Sequence, residues 1–142
     1  MLVVFGVAAV AVLVVFFHML PRRPVAAQNQ QRERVPPFYA TVSSVSALPA
    51  TLDPGSFQGP RVRDAYAIAK KKPAVLAQQP CYCGCDRQGH RSLLECFKDK
   101  HAEGCSICIR EANYSNTMDA QGKCAAEIRT GIIRGDWKSP RF

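Results

Sequence analysis

No cysteine precedes Cys81 and none follows Cys124, and no charged side chain occurs between Met1 and Leu20. The first absence leaves no cysteine behind the leading apolar run to carry a lipid anchor. The second leaves "MLVVFGVAAVAVLVVFFHML" unbroken, about the length (~20 residues) a helix needs to cross a hydrocarbon core, with His18 near the interface end. No segment alternates as a strand, which excludes the βαβ setting that a thioredoxin-like C-x2-C requires. No P-loop, Gly-rich dinucleotide turn or convincing Ser/His/Asp arrangement is present, so hydrolase and kinase chemistry is disfavoured and no small-molecule substrate is identified. A thiol oxidoreductase using Cys105 and Cys108 ranks third among the function classes.

The charge is unbalanced, with 19 Lys and Arg against 11 Asp and Glu, a net +8. The basic residues are scattered, and none of their runs interleaves with aromatics as a stacking platform for bases would. Nucleic acid is therefore set aside in favour of a solvated face or attraction to anionic lipid headgroups.

Residues 1–20 read as a transmembrane helix or signal anchor. "VAA" at Val25 to Ala27 offers a signal peptidase small residues at suitable spacing, and Arg22, Arg23, Arg32 and Arg34 follow the apolar run. That asymmetry alone favours a cytoplasmic domain. Between Pro21 and Pro60 lie seven of the ten prolines, so residues 21–58 read as an extended Pro/Ser-rich linker. Residues 59–142 remain to fold, few enough that disulfides, a metal or a partner are commonly needed.

This last part reads as a small all-α bundle of about four helices. Val62, Ala65, Tyr66 and Ala69 fall at helical spacing behind Pro60, and Pro73 breaks that helix and starts the short "PAVLAQQ" turn. Ser92 and Glu95 form a capping-box pattern ahead of "LLECFKD", with Cys96 sharing a face with Leu93 and Phe97. A further helix is expected from Cys105 to Asp119, ending before Gly122. On it Cys105, Cys108, Ile109 and Ala112 make one stripe near the positive helix end. The last helix, Lys123 to Arg134, puts Cys124, Ile128 and Ile132 on one face, and Trp137 is expected to cover the bundle end.

The chemistry lies in the cysteines. "PCYCGCDRQGH" spaces Cys81, Cys83 and Cys85 at every second position, with Gly84 giving the loop freedom to curl and His90 as a further candidate ligand. Disulfides between such near neighbours are strained, because a bridge needs Cβ atoms about 3.5–4.5 Å apart. Thiolates select Cu(I), Zn(II) or, less favoured here, an iron–sulfur cluster. "HAEGCSIC" adds His101, Cys105 and Cys108, a C-x2-C at a helix start where thiolates are stabilised. Two thiols of the first run with this pair complete a four-ligand site, and Cys96 is a further donor. The candidate ligand set is Cys81, Cys83, Cys85, Cys96, Cys105, Cys108, His90 and His101. In an oxidising compartment, three disulfides and one free thiol account for the seven cysteines equally well. Cys124 reads as a core residue or disulfide partner, and Met118 as packing.

The blocks "PCYCGC", "GHRSLLECFKDKH", "CSICIREA" and "EIRTGIIRGDW" resemble the bacterial PCYCGC-motif proteins, small exported or membrane-anchored chains with no established function. The resemblance implies an extracytoplasmic domain on the outer side of the cell membrane, held here by the apolar helix. Two classes remain in play. One is a membrane-anchored metal-handling module for copper or zinc. The other is a structural or interaction subunit, stapled by disulfides or zinc, that docks on a larger membrane complex.

Overall fold

The structure, a computed structural model, describes residues 34–142. The apolar run and the first part of the linker lie outside the described residues. Among the described residues there are four α-helices: α1 (Pro60–Lys71), α2 (Pro73–Ala77), α3 (Ser106–Ala120) and α4 (Ala125–Arg134). Six short 3-10 turns precede, connect or follow them, and no strand occurs among the described residues. No described helix is long and apolar enough to cross a membrane.

Pro60 occupies the first helical position of α1, where its missing N–H costs nothing. Ala65, Tyr66 and Ala69 are buried, so the helical spacing translates into one packed face. Pro73 disfavours helical geometry in the residue before it, and Lys72 accordingly adopts φ −128°, ψ 51°, ending α1 and redirecting the chain into α2. Lys72 then reaches across to Asp119 at the end of α3, with Nζ to Oδ2 at 2.6 Å. Gly122 leaves α3 with φ 80°, as a helix-terminating glycine does.

The main core is centred on Tyr66. Its ring stacks on Phe57 at 4.0 Å between centroids and meets Phe97 edge-on at 5.1 Å, the latter a favoured aromatic geometry. Its hydroxyl donates to the Asp99 carbonyl at 2.6 Å. Leu76, Leu93, Leu94, Ala102, Cys108 and Ala112 complete this core. A second cluster of Tyr114, Ile128, Ile132 and Trp137 joins α3, α4 and the C-terminal turn, so Trp137 does cover that end. Met118 packs against the same cluster.

Two local expectations are revised. The segment after Ser92 is a five-residue 3-10 turn, Leu93–Phe97, in place of an α-helix. The Ser92 side chain caps nothing and its hydroxyl is buried without a partner. Glu95, itself buried, accepts instead from the Arg91 N–H and the Tyr39 hydroxyl. The helix N-terminus that does carry a capping box is α4, where Cys124 and Glu127 supply it and the Cys124 N–H donates to Glu127 Oε2 at 2.9 Å. Cys124 is exposed there, outside the core.

From Val35 on, the linker stretch is mostly irregular and extended, and it packs against the helices. Phe57 is 1 % exposed, and Tyr39, Val42, Leu48 and Leu52 pack against the main core. The Tyr39 N–H donates to the Ala77 carbonyl at 2.9 Å and the Leu52 N–H to the Phe97 carbonyl at 3.0 Å. These two bonds fasten the strap to the segments on either side of the cysteine run. Phe57→Ala is expected to cost about 3–5 kcal/mol in chemical denaturation. Val45→Ala, at an exposed strap position, is expected to stay within about 0.5 kcal/mol. Equal, small effects at both sites would show that the strap adds nothing to the core.

Candidate metal centre

Four chain segments deliver thiols or imidazole to one place. In the first, Gly84 (φ 81°, ψ 14°) and Gly89 (φ 87°, ψ 9°) take left-handed conformations on either side of the 3-10 turn Cys85–Gln88, which residues with a Cβ rarely adopt. They curl the loop so that Cys81, Cys83 and Cys85 converge, where an extended strand would line them up. At Gly84 a Cβ would also meet the Arg87 guanidinium at 2.7 Å. The second segment is the turn Leu93–Phe97, whose fully buried Leu93, Leu94 and Phe97 hold Cys96 inward. The third is the turn Lys100–Gly104, started by Asp99 accepting from the His101 N–H at 2.8 Å, which presents His101. The fourth is the start of α3, with Cys105 as its N-cap and Cys108 in its first turn.

The sulfurs meet at short range. Cys81 Sγ lies 3.3 Å from Cys83 Sγ and 3.6 Å from Cys108 Sγ, and Cys85 Sγ lies 3.3 Å from Cys96 Sγ. His101 Nε2 is 3.4 Å from Cys83 Sγ. All seven cysteines are free thiols, so no disulfide joins the cluster. Three foursomes have all their donor atoms within 4.8 Å of one another: Cys81, Cys83, Cys96 and Cys108; Cys83, His101, Cys105 and Cys108; and Cys83, Cys85, Cys96 and His101. A tetrahedral thiolate site with metal–sulfur bonds of ~2.3 Å has edges of about 3.8 Å, so each foursome can close on an ion with small side-chain rotations.

Seven of the eight residues singled out from the sequence belong to these foursomes. His90 belongs to none. It lies beside the site with its ring edge-on to His101 at 5.0 Å, its Nδ1 buried without a partner, and burial, with help from Lys98, lowers its pKa. Cys124, exposed at the start of α4, also stands outside every foursome.

Burial is uneven around the cluster. Cys96 and Cys108 are fully buried, with Cys81 and Cys85 nearly so, while Cys83, Cys105 and His101 are half-buried. On one flank the strap prolines Pro36 and Pro37 form a narrow crevice with Cys81, Cys85, His90 and Ser92. None of Cys83, Cys105 and His101 lines that crevice, and all three keep partial exposure to solvent.

The electrostatics single out Cys83. Thiol hydrogen bonds from Cys108 and Cys81 hold its pKa far below the ordinary thiol value. The partners rise in compensation: Cys81 through its bonds with Cys108 and Cys83, Cys85 through Cys81 and Cys83, and Cys96 most through Cys108. In the geometry itself, Cys81 donates its S–H to Cys83.

One residue of the site was not singled out from the sequence. Glu111 lies three positions beyond Cys108 on the buried side of α3 and is fully buried. Its Oε1 accepts from the Tyr82 N–H at 2.9 Å, and its Oε2 has no partner. It thus ties the middle of the first cysteine run to α3, while burial pushes its carboxyl up to about 8. The available signal was its spacing: i+3 from a thiol already placed on the buried stripe.

A family model described as a protein of unknown function with PCYCGC motif matches residues 26–139. The match begins well ahead of Gly59 and takes in the strap. No curated protein and no solved structure matches the chain.

The Glu111 carboxyl gives a pH test on the reduced, metal-free protein. A carboxyl whose folded pKa lies above its unfolded value binds more protons folded than unfolded, so stability falls as pH rises from about 4.5 to about 8. Glu111→Gln keeps an acceptor for Tyr82 and removes that titration. The variant is expected to gain stability over the parent progressively across this window in denaturation curves. A parallel pair of pH profiles would show that Glu111 is already ionised at little cost.

Proposed function

The chain belongs to the PCYCGC-motif family, which carries no assigned function, and from the donor set we propose that its domain binds a thiophilic metal ion, Cu(I) or Zn(II), for metal handling. The observation that carries this reading is the convergence of six free thiols and one imidazole, from four separate chain segments, within bonding reach of shared ions. Packing of ordinary small apolar residues does not need seven soft donors side by side, whereas thiolate and imidazole are the ligands that these ions select.

That partial exposure favours handling over a purely structural role. A closed structural zinc site surrounds its ion with four buried ligands. Here the half-buried Cys83, Cys105 and His101 give an incoming thiol or chelator direct access to an ion. Ligand exchange can then begin at the surface and proceed inward through Cys83. We place the domain outside the cell membrane, anchored by the apolar run Met1 to Leu20. The anchor rests on the length and apolarity of the run, and the outer side on the resemblance to exported PCYCGC-motif proteins, against the arginine asymmetry.

A second reading has its own observation. Cys85 and Cys96, like Cys81 and Cys83, stand 3.3 Å apart as thiols, close enough for oxidation to staple the loop in an oxidising compartment. The domain would then be a scaffold for docking on a larger membrane complex.

Intact mass under native and then denaturing conditions separates the two, on protein purified without added metal or reductant. An added mass that is lost on denaturation, with the thiols still reduced, is expected. A mass lowered by about 2 Da per bridge, with no ion, would decide for the staple. Cys83→Ser is expected to lower metal occupancy strongly and Cys105→Ser more weakly, with Cys124→Ser matching the parent. Unchanged occupancy in the Cys83 variant would remove the shared site.

A further inference from the structure

One tetrahedral ion uses four donors, and seven are gathered here. The three foursomes are not alternatives of equal standing, because they overlap in a defined way. All three contain Cys83, and each pair shares two residues. A thiolate sulfur has spare lone pairs and can bind two ions at once; an imidazole nitrogen has a single lone pair and binds one. The foursomes centred on Cys85 and on Cys105 share Cys83 and His101, so both cannot be filled together. The all-sulfur foursome, Cys81, Cys83, Cys96 and Cys108, shares only cysteines with either of the others: Cys83 and Cys96 with one, Cys83 and Cys108 with the other.

We propose that the site is a binuclear centre: an inner ion held by Cys81, Cys83, Cys96 and Cys108, and an outer ion held through His101, with the Cys83 thiolate bridging the two in either arrangement and Cys96 or Cys108 as the second bridge. This inference rests on the metal-binding reading given above and specifies its stoichiometry and layout. Cys85 or Cys105 completes the outer site, and in either arrangement five thiolates and one neutral imidazole are engaged. Five negative charges against two divalent ions leave one net negative charge, at the positive end of α3 where it is stabilised. Three of the four inner ligands are almost wholly buried, whereas His101 is half-buried. The outer ion is therefore the one that exchanges first.

Cys83 is also the donor best prepared for bridging. Its sulfur already has a contact toward each ion's remaining donors, with Cys81 donating to it at 3.3 Å and His101 Nε2 at 3.4 Å. Replacing the Cys81 proton by one ion, and placing a second between Cys83 and His101, preserves the contacts that the cluster already has.

The test is a titration of the reduced, metal-stripped full chain in detergent with 113Cd(II), a spectroscopic stand-in for Zn(II), followed by native mass and by 113Cd NMR. Two ions per chain are expected, giving two resonances split by coupling through the shared sulfur. His101→Ala, a change on a half-buried surface turn, is expected to bind one ion and to show one unsplit resonance. A single ion in the parent would overturn the binuclear centre while leaving the metal-binding reading intact. No bound cadmium would overturn both. Two uncoupled resonances, or two ions retained by His101→Ala, would overturn the shared thiolate and the role of His101.

Discussion

The structure depends on holding six thiols and an imidazole together at a single point inside a domain of about a hundred residues. Crowding thiols at 3.3–3.6 Å brings no packing advantage over alanine or valine, and ionising one of them in the interior carries a desolvation cost. The fold meets that cost locally. Cys83, the donor common to every foursome, accepts from Cys81 and keeps partial exposure to solvent. Several otherwise odd local choices follow from this arrangement. Two left-handed glycines bend the first cysteine run, a pair of short 3-10 turns stands where longer helices would fit, and a buried carboxylic acid anchors the Tyr82 amide.

The apolar core and the sulfur cluster are parts of one object. Tyr66, Phe57 and Phe97 fix the turn that carries Cys96, and the Tyr66 hydroxyl bonds to Asp99, the residue that starts the turn carrying His101. Cys108 belongs to the same buried cluster as these rings. Distortion of the core therefore moves donors, and loss of the cluster leaves a desolvated set of polar sulfurs in the interior. The strap adds a third side. By bonding to Ala77 and Phe97, and by laying Pro36 and Pro37 against Cys81 and Cys85, it closes one flank, while Cys83, Cys105 and His101 keep partial exposure to solvent.

Much of this organisation was readable from the chain. Pro60, Pro73 and Gly122 mark helix limits through backbone rules that need no tertiary context, and the stripe of Cys108 and Ala112 is buried as its spacing requires. The failures are equally physical. Ser92 and Glu95 have the spacing of a capping box, but Glu95 is drawn to Tyr39 and Arg91, partners that only the returning strap and loop provide. Cys124 looked apolar-facing on a helix assumed to start earlier; once Cys124 is the cap, its side chain serves the first turn and faces solvent. The Pro-rich stretch is extended as composition suggests, yet its aromatic and aliphatic residues dock from Val35 onward.

By itself the sequence determined the donor types, their confinement between Cys81 and Cys108, and the helical character of the segments around them, because residue chemistry and backbone preferences are local. Only the tertiary structure decided which donors meet. It gathered seven of the eight candidates, set His90 and Cys124 apart, brought Glu111 beneath the loop, and made Cys83 common to every foursome. Those outcomes depend on how four segments, separated by up to 27 positions between Cys81 and Cys108, pack around Tyr66. No local pattern encodes a distance between side chains brought together by such packing.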